Sequence, residues 1–497
     1  MVLGHYRLIG VVAAILALEA QALTPRAPTE SVARQRATPD HTVTKPPRGA
    51  SERGVVLHAW SERDASTTAL DDDASGRTEP PGLESEDVVL LVPRLALAIP
   101  GRFVDLALRP VAELMGLLDR HAVLERVDAF LHNEAHTAGV VPTFGFQSGY
   151  GAAFGLKAFH DDLLGHGEHL SFLARTGGAF NQDYELYFSA RRLRGSRVWL
   201  EGRFRYGDTP GLLFHGLGDA DTGDNGTSPG PRDASVETRF QQERFLSLLR
   251  VGVTMGKPGQ SVRVGAAMIH NFRNASPQRD PVAGDRSIES VYDTTRLDGF
   301  ESVFNTLEFE ANVVVDFRNR PARTSSGWAL ELFGGGAPPV DGFAYWHYGA
   351  EASVYINLYR ETRVLLLRAA FEAVDDAGYS IPFQELPRLG GAFDLRGYLE
   401  DRFRDKRAAV ASVEYHWPIH DFVSGELFLD AGRVGPTYRS VFGADAWQEW
   451  RVGYGGGIIV SGPDSVIFRA DVSYGDQLTF FITTDLARAF KGREAEL

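Results

Sequence analysis

Residues 464–474 read DSVIFRADVSY, and their side chains alternate between an apolar row that ends in an aromatic ring and a mostly polar row. Successive side chains of a β-strand point to opposite faces, so a period of two predicts a strand. The same period occurs in residues 184–191, 197–206 and 409–417, where the polar rows carry charged side chains. Apolar rows with aromatic ends opposite charged rows are typical of a transmembrane β-barrel, in which one face contacts lipid and the other lines a polar lumen.

Segments of this kind follow one another from residue 139 onward. They lie at 139–147, 150–161, 168–178, 182–192, 197–207, 235–255, 261–273, 303–317, 327–335, 346–359, 362–374, 406–418, 424–433, 448–461, 464–474 and 478–490. Their number is even, and most are long enough to cross a bilayer at a tilt. The predicted fold class is therefore all-β: a 16-stranded antiparallel transmembrane β-barrel over residues 137–490, with a short N-terminal periplasmic helical segment.

The connections between these strands differ in length according to their side of the barrel. Those after even-numbered strands are short, the longest being 318–326, whereas those after odd-numbered strands include 208–234, 274–302 and 375–405. Outer-membrane barrels have short periplasmic turns and long extracellular loops. This pattern predicts a protein of the Gram-negative outer membrane with both chain termini in the periplasm.

The beginning of the chain has the pattern of a secretory signal peptide, which we predict over residues 1–22. His5 and Arg7 precede an apolar run at 8–18, and the small-x-small sequence AQA follows at 20–22. The alternative is an uncleaved membrane anchor, but the run is shorter than the roughly 18–20 residues that a transmembrane helix needs.

Three further segments lie outside the predicted barrel. Residues 23–86 are rich in proline and polar side chains, and this composition predicts a disordered linker. Residues 87–133 contain apolar side chains at helical spacing and are predicted to form short amphipathic periplasmic helices. These helices would pack on the rest of the protein or lie in a membrane interface. Residues 491–497 are predicted to form a periplasmic tail.

Composition excludes several classes of function. The chain of 497 residues has a net charge of −14, which argues against nucleic acid as a partner because phosphate binding requires a basic surface. It contains no cysteine, so it has neither disulfides nor a thiolate site. The common nucleophile, phosphate-loop and zinc-protease motifs do not occur either. We predict no catalytic residue, no cofactor and no metal site, and therefore not an enzyme.

The longest connection carries the most specific motif. Residues 386–405 read LPRLGGAFDLRGYLEDRFRD and contain the tetrapeptide Leu395-Arg396-Gly397-Tyr398. The strand after this connection contains Glu414, and the next contains FLDAG at 428–432, with Asp430 at its centre.

Together these motifs resemble the BamA/TamA outer-membrane assembly superfamily, the bacterial surface antigen barrels. The tetrapeptide resembles that family's (L/V)RG(F/Y) motif in the sixth outer loop, and Glu414 and Asp430 resemble its acidic partners in strands twelve and thirteen. FHGLG at 214–218 and the hairpin from Asp316 to Gly327 resemble two further family motifs. Residues 23–86 supply no convincing POTRA (polypeptide-transport-associated) module, so the chain resembles the POTRA-less branch.

The residues themselves give a physical reason for the motif. Glu414 and Asp430 belong to the lumen-facing rows and are expected close to opposite one another across a hairpin turn near residue 421. Two adjacent carboxylates repel one another unless a cation lies between them, and the planar fork of Arg396 fits both. We therefore expect the guanidinium inside the barrel, holding the infolded loop. The alternative is that the two acids merely line a watery channel.

Two functions remain open from the sequence. The resemblance implies a barrel that aids insertion or translocation of polypeptides or lipids at the outer membrane, by lateral opening between the first and last strands. Its partners would be outer-membrane lipid and unfolded outer-membrane or secreted polypeptides. The alternative is a passive channel or structural barrel in which the infolded loop is a constriction.

Overall fold

A computed structural model describes residues 137–218, 237–257, 259–278, 284–320, 324–420, 423–461 and 466–484, together with residues 131, 133 and 135. The predicted signal peptide, linker and C-terminal tail lie outside the described residues, as does almost all of the predicted helical segment. Within the described part of the chain, no helix is both long and apolar enough to cross a membrane.

The described strands form one closed antiparallel barrel, which confirms the predicted 16-stranded fold. The strands are β1 (Ala138–Gln147), β2 (Gly151–Asp161), β3 (Glu168–Gly177), β4 (Phe180–Ala190), β5 (Val198–Phe214), β6 (Thr238–Lys257), β7 (Gln260–Pro277), β8 (Val303–Asp316), β9 (Gly327–Val340), β10 (Phe343–Tyr359), β11 (Arg363–Asp376), β12 (Arg407–His420), β13 (Val423–Gly435), β14 (Arg451–Ser461), β15 (Val466–Tyr474) and β16 (Leu478–Thr483). Each strand pairs with its neighbours in sequence, and β16 pairs with β1.

Two strand ends differ clearly from the prediction. β9 continues to Val340, whereas the sequence pattern ends at residue 335. β5 continues to Phe214, whereas the sequence pattern ends at residue 207. Pro210 and Gly211 suggest a turn, but here they lie in a register shift between Thr209 and Leu212. A bulge accommodates such residues without ending the strand.

The two faces of the barrel have opposite chemistry, as the period of two requires. Large apolar side chains are exposed on the outer face, among them Phe154, Leu156, Phe172, Leu186, Phe204, Leu249, Phe309, Leu332, Val413, Leu429 and Val472. Charged side chains are buried inside, among them Asp183, Glu201, Arg250, Glu308, Arg368, Glu414, Glu426, Asp430, Arg469 and Asp471. Exposed apolar side chains on this scale are stable only against lipid.

The long connections gather at one end of the barrel, which we call the long-loop end. Residues 215–237, 278–302, 377–406 and 436–450 all follow odd-numbered strands. The opposite, short-turn end has only brief connections. The last long connection contains a short helix, α1 (Tyr438–Phe442), that begins with a capping box at Thr437.

An apolar cluster fills part of the barrel at the long-loop end. It combines the adjacent ends of β5, β6, β7, β9, β10 and β11 with side chains from connections 278–302 and 377–406. Its members include Phe214, Phe240, Ile288, Tyr292, Leu297, Phe300, Tyr345 and Phe383. Several rings meet edge to face, as Phe214 does with Tyr292 and Phe383. The cluster packs two of the long connections against the barrel wall.

Candidate functional site

Connection 377–406 folds back into the barrel as a short ribbon with a compact tip. Arg388–Leu389 pairs with Phe403–Arg404, and residues 390–402 between them form what we call the loop tip. Gly397 turns the tip with φ of +91°, a backbone conformation that other residues rarely adopt. Leu395 and Tyr398 are buried in an apolar cluster with Leu389, Phe403 and side chains of the wall.

The structure places the Arg396 guanidinium inside the barrel, between Glu414 and Asp430. Its Nε donates to Asp430 Oδ2 at 2.7 Å, and its Nη2 donates to Asp430 Oδ1 and to Glu414 Oε1, each at 2.7 Å. The Arg396 backbone N–H also donates to Asp430 Oδ2 at 3.1 Å. All three residues are buried. The two carboxylates raise the pKa of Arg396, against the lowering effect of burial, so its positive charge is permanent.

The two carboxylates lie close to opposite one another, as a turn near residue 421 predicts, but they are offset by one diagonal step. Glu414 pairs with Phe428, and Asp430 pairs with Ser412. The acids therefore lie on a diagonal of the lumen face, with Phe428 beside them. The Arg396 Cζ atom lies 3.5 Å from the centre of the Phe428 ring, so the guanidinium stacks on an aromatic face while its edges bind the acids.

A track of small residues on the neighbouring wall admits the loop backbone, and sequence reasoning missed it. A Cβ atom at Gly453 would overlap the carbonyl oxygen of Arg396, and one at Gly475 would lie 2.5 Å from the Tyr398 ring. A Cβ at Gly455 would lie 2.7 Å from the Phe428 ring. The signal was present in the sequence, because glycine occupies alternate positions 453, 455 and 457 of β14.

The loop tip is bonded to several strands besides β12 and β13. Tyr398 Oη donates to the Val452 carbonyl at 3.1 Å, and Arg368 Nη1 donates to the Phe393 carbonyl at 2.8 Å. Arg402 Nε donates to Asp476 Oδ2 at 3.2 Å, in the turn between β15 and β16. On β1, the strand that pairs with β16, Gln147 donates a hydrogen bond to Glu400.

The other two motifs stabilise connections at opposite ends of the barrel. In FHGLG, the Gly218 N–H donates to the Arg404 carbonyl at 2.7 Å, which joins the end of β5 to the base of the loop ribbon. In the hairpin after β8, Arg318 Nε and Nη2 donate to Asp316 Oδ1 and Oδ2 at 2.9 and 2.8 Å. This ion pair lies within the β8–β9 turn at the short-turn end, away from the loop tip.

Two adjacent acids at the end of the loop tip respond differently to burial. Burial, together with the charge of Asp401, raises the pKa of Glu400 to about 8. Burial also opposes ionisation of Asp401, but Arg388 and Arg404 hold its pKa below the ordinary value. Asp401 accepts from Arg388 Nη1 at 2.9 Å and from Arg404 Nη2 at 3.0 Å. Glu400 is therefore the titratable contact of the tip near neutral pH.

Metal donors occur in two places within the described residues, although the sequence predicts no metal site. Glu308, Glu310 and His347 form one group, and Glu414, His416 and Glu426 form the other. The second group is next to Arg396, because Glu414 belongs to both.

These features define an outer-membrane β-barrel whose long infolded loop is held by a buried arginine. The Omp85 superfamily domain matches residues 162–479. The chain belongs to the Omp85 superfamily, which confirms the resemblance seen in its motifs. No curated protein matches the chain in sequence.

Among solved structures, the chain is similar to BamA from Haemophilus ducreyi lacking POTRA domains 1–3, with a TM-score of 0.48 and 15% identity over 70% of each chain. It is also similar to CdiB from Escherichia coli, with a TM-score of 0.47 and 10% identity over 69% of this chain and 62% of that one. CdiB from Acinetobacter baumannii is similar as well, with a TM-score of 0.44 and 10% identity over 69% of this chain and 58% of that one.

The first prediction concerns Arg396. Arg396→Ala leaves two buried carboxylates without their cation. Removing one partner of a buried ion pair lowers stability by about 3–5 kcal/mol. We expect trypsin to cut the purified protein at Arg388, Arg402 or Arg404, where the wild type resists. Arg396→Lys should restore resistance only in part, because a point charge cannot fork across two acids.

The matched control for this experiment is Arg320→Ala. Arg320 forms an ion pair with Glu361, and 62% and 52% of the two side chains are exposed. Exposed ion pairs contribute about 0–1 kcal/mol to stability. Equal trypsin resistance of Arg396→Ala and Arg320→Ala would show that Arg396 does not hold the loop.

The second prediction concerns the glycine track. Gly453→Ala should displace the loop tip, because the new methyl group takes the space of the Arg396 carbonyl. Overpacking of this kind costs about 1–3 kcal/mol, and we expect faster proteolysis of the tip together with a lower unfolding midpoint. Gly202→Ala is the control, since a Cβ there meets no atom within 4 Å. A Gly453→Ala protein that behaves like Gly202→Ala would contradict the close approach.

The third prediction concerns pH. Because the pKa of Glu400 is raised to about 8, docking of the tip favours the protonated acid. Its contribution is complete below the ordinary value of 4.5 and is lost as pH rises through about 8. The rate of tip proteolysis, divided by that of Glu400→Gln at each pH, should therefore rise several-fold between pH 6 and about 9. A ratio that stays constant with pH would refute the assignment.

Proposed function

We propose that this barrel aids the insertion or translocation of polypeptides or lipids at the outer membrane, through lateral opening between β1 and β16. In this proposal the loop tip acts as a latch. The observation that carries it is that the tip is bonded on both sides of this seam. Glu400 accepts a hydrogen bond from Gln147 of β1, and Arg402 donates to Asp476 in the turn that leads into β16.

The seam itself supports this role. Its described register consists of Gly145 with Thr483, Phe146 with Ile482 and Gln147 with Phe481. By contrast, β1 pairs with β2 along its whole length, from Ala138 to Gln147. Backbone bonds from Ser148 to Phe480 and from Thr484 to Phe144 extend this pairing by one residue at each end. Each ladder hydrogen bond contributes about 0.5–1.5 kcal/mol, so within the described residues the shorter β1–β16 ladder is easier to open than the β1–β2 ladder.

The latch also explains why the loop tip is fastened so firmly at its centre. Arg396 holds the tip to β12 and β13, which are not part of the β1–β16 seam. The weaker contacts at Glu400 and Arg402 can then break while the tip keeps its place. Asp476 is partly exposed, so its ion pair with Arg402 is the weaker kind.

Orientation and partners follow from this proposal. The long-loop end faces the outside and the termini lie in the periplasm, from which unfolded outer-membrane or secreted polypeptides would arrive. The exposed apolar face of the barrel contacts outer-membrane lipid. With a net charge of −14, the chain is not expected to bind nucleic acid.

A cavity in the lumen favours the second candidate, a passive channel or structural barrel. It encloses about 420 Å³ and is lined by charged side chains of both signs, among them Arg205, Arg244, Glu308, Glu351 and Glu372. A channel would use the loop tip as its constriction. The outer-membrane proteome after depletion distinguishes the two functions: selective loss of other barrels indicates assembly, and an unchanged set with altered solute uptake indicates a channel.

A reversible lock on the seam tests lateral opening. The chain has no native cysteine, so Gly145→Cys with Thr483→Cys introduces one disulfide between paired residues of β1 and β16. In liposomes, we expect the oxidised protein to lose its acceleration of the insertion of a small unfolded outer-membrane barrel. Reduction should restore it, and ion conductance should be the same in both states.

The control shares one of the two cysteines. Gly145→Cys with Ala153→Cys joins β1 to β2 at the same level of the barrel and leaves the seam free. Its insertion activity should not depend on oxidation. If the seam lock and this control are equally active when oxidised, insertion does not use the seam. If neither protein accelerates insertion but Arg396→Ala raises conductance, the channel is the better account.

A further inference from the structure

A second polar cluster lies beside the Arg396 site on the inner face of β12 and β13. His416 Nε2 lies 3.0 Å from Glu414 Oε2 and 3.6 Å from Glu426 Oε2. These three donor atoms all lie within 4.8 Å of one another, and we call them the His416 cluster. Because alternate residues of a strand share a face, Glu414 and His416 point the same way, towards Glu426 on the neighbouring strand.

Acidic groups outnumber the arginines around this cluster. Arg396 and Arg469 face four carboxylates, those of Glu414, Glu426, Asp430 and Asp471. All six side chains are buried, with at most 4% of the residue surface exposed. A buried charge without compensation costs several kcal/mol, so acids that ionise here need a further positive group, which is either a bound metal ion or the His416 imidazolium.

One donor atom points into the cluster without a hydrogen bond of its own. Glu426 is fully buried, and its Oε1 lies 3.1 Å from Arg469 Nε. Its Oε2 accepts no hydrogen bond from any residue that the structure describes. Buried carboxylate oxygens are normally satisfied, and one directed towards an imidazole nitrogen has the geometry of a metal ligand.

We propose that Glu414, His416 and Glu426 bind a divalent transition-metal ion such as Zn²⁺. Imidazole nitrogen and carboxylate oxygen are both ligands of such ions, and water would complete the tetrahedron. The ion can enter from the lumen, because 19% of the His416 side chain is exposed. It would bind Glu414 through Oε2 while Arg396 keeps Oε1, so the metal strengthens the wall to which the loop tip is attached.

The other group of potential ligands differs in a way that makes it a control. His347 Nδ1 lies 3.0 Å from Glu308 Oε1, and His347 Nε2 lies 2.8 Å from Glu372 Oε1. Both ring nitrogens thus already bind carboxylates, which is the geometry of an imidazolium between two acids rather than of a metal ligand.

The test is calorimetric titration of the purified, chelator-treated full-length protein with Zn²⁺ in detergent. We expect one ion per chain, and about tenfold or greater weakening in His416→Gln and in Glu426→Gln. His347→Gln should bind as the wild type does. Retention of the band shift between boiled and unboiled samples on gels shows that each variant still forms a barrel.

The outcomes that overturn the proposal are distinct. They are no saturable binding to the wild type, unchanged binding in both His416→Gln and Glu426→Gln, or loss of binding in His347→Gln alone. In the first case, His416 would instead be an imidazolium bridging the two glutamates.

A measurement on the wild type covers the case in which the variants fail to fold. Zn²⁺ should protect His416, but not the exposed His166, from modification by diethyl pyrocarbonate, as mapped by mass spectrometry. Equal modification of His416 with and without Zn²⁺ would also overturn the proposal.

Discussion

The removal of the Arg396 guanidinium from water is the constraint on which the rest of the site depends. A charge buried to this degree is stable only if its donors are satisfied and its charge is balanced. Asp430 and Glu414 provide both, and the face of Phe428 fills the space beside the plane of the guanidinium. Glu414 of β12 and Phe428 and Asp430 of β13 therefore all contact this one side chain of the loop. The site also requires the absence of side chains at Gly453, Gly455 and Gly475. Arg396 can reach the two acids only if the loop backbone packs closely against the wall.

The same attachment gives the loop a mechanical role in the barrel. The loop tip joins the wall at β12 and β13 through its strongest bonds, and reaches β1 and the turn before β16 through weaker ones. In the proposed latch, the strong contacts hold the tip in place while the weak ones break as the seam parts. The apolar cluster at the long-loop end fixes the base of the same connection through Phe383 and Leu386. In the proposed function, a loop held at its base and its tip transmits the state of the seam.

Much of the fold could be predicted from the sequence because lipid and lumen impose a period of two on every strand. The strand number, the closed antiparallel order and the alternation of long and short connections all follow from that pattern. The end of β5 could not be predicted, since Pro210 and Gly211 in a bulge look like a turn. By contrast, the near-opposite placement of Glu414 and Asp430 follows from a hairpin turn near residue 421. His416, Glu426 and Arg469 lie on three strands, and only the closed wall brings them together.

A double-mutant cycle between Arg396 and Asp430 tests the central claim most directly. The free energy of unfolding in lipid would be measured for the wild type, Arg396→Ala, Asp430→Ala and the double variant. If the two side chains bind one another inside the barrel, the double variant loses much less stability than the sum of the single losses. The coupling energy should then be about 2–3 kcal/mol, at the upper end for groups in contact. Losses that add to within about 0.5 kcal/mol would show that Arg396 and Asp430 act independently, and the loop would need another anchor.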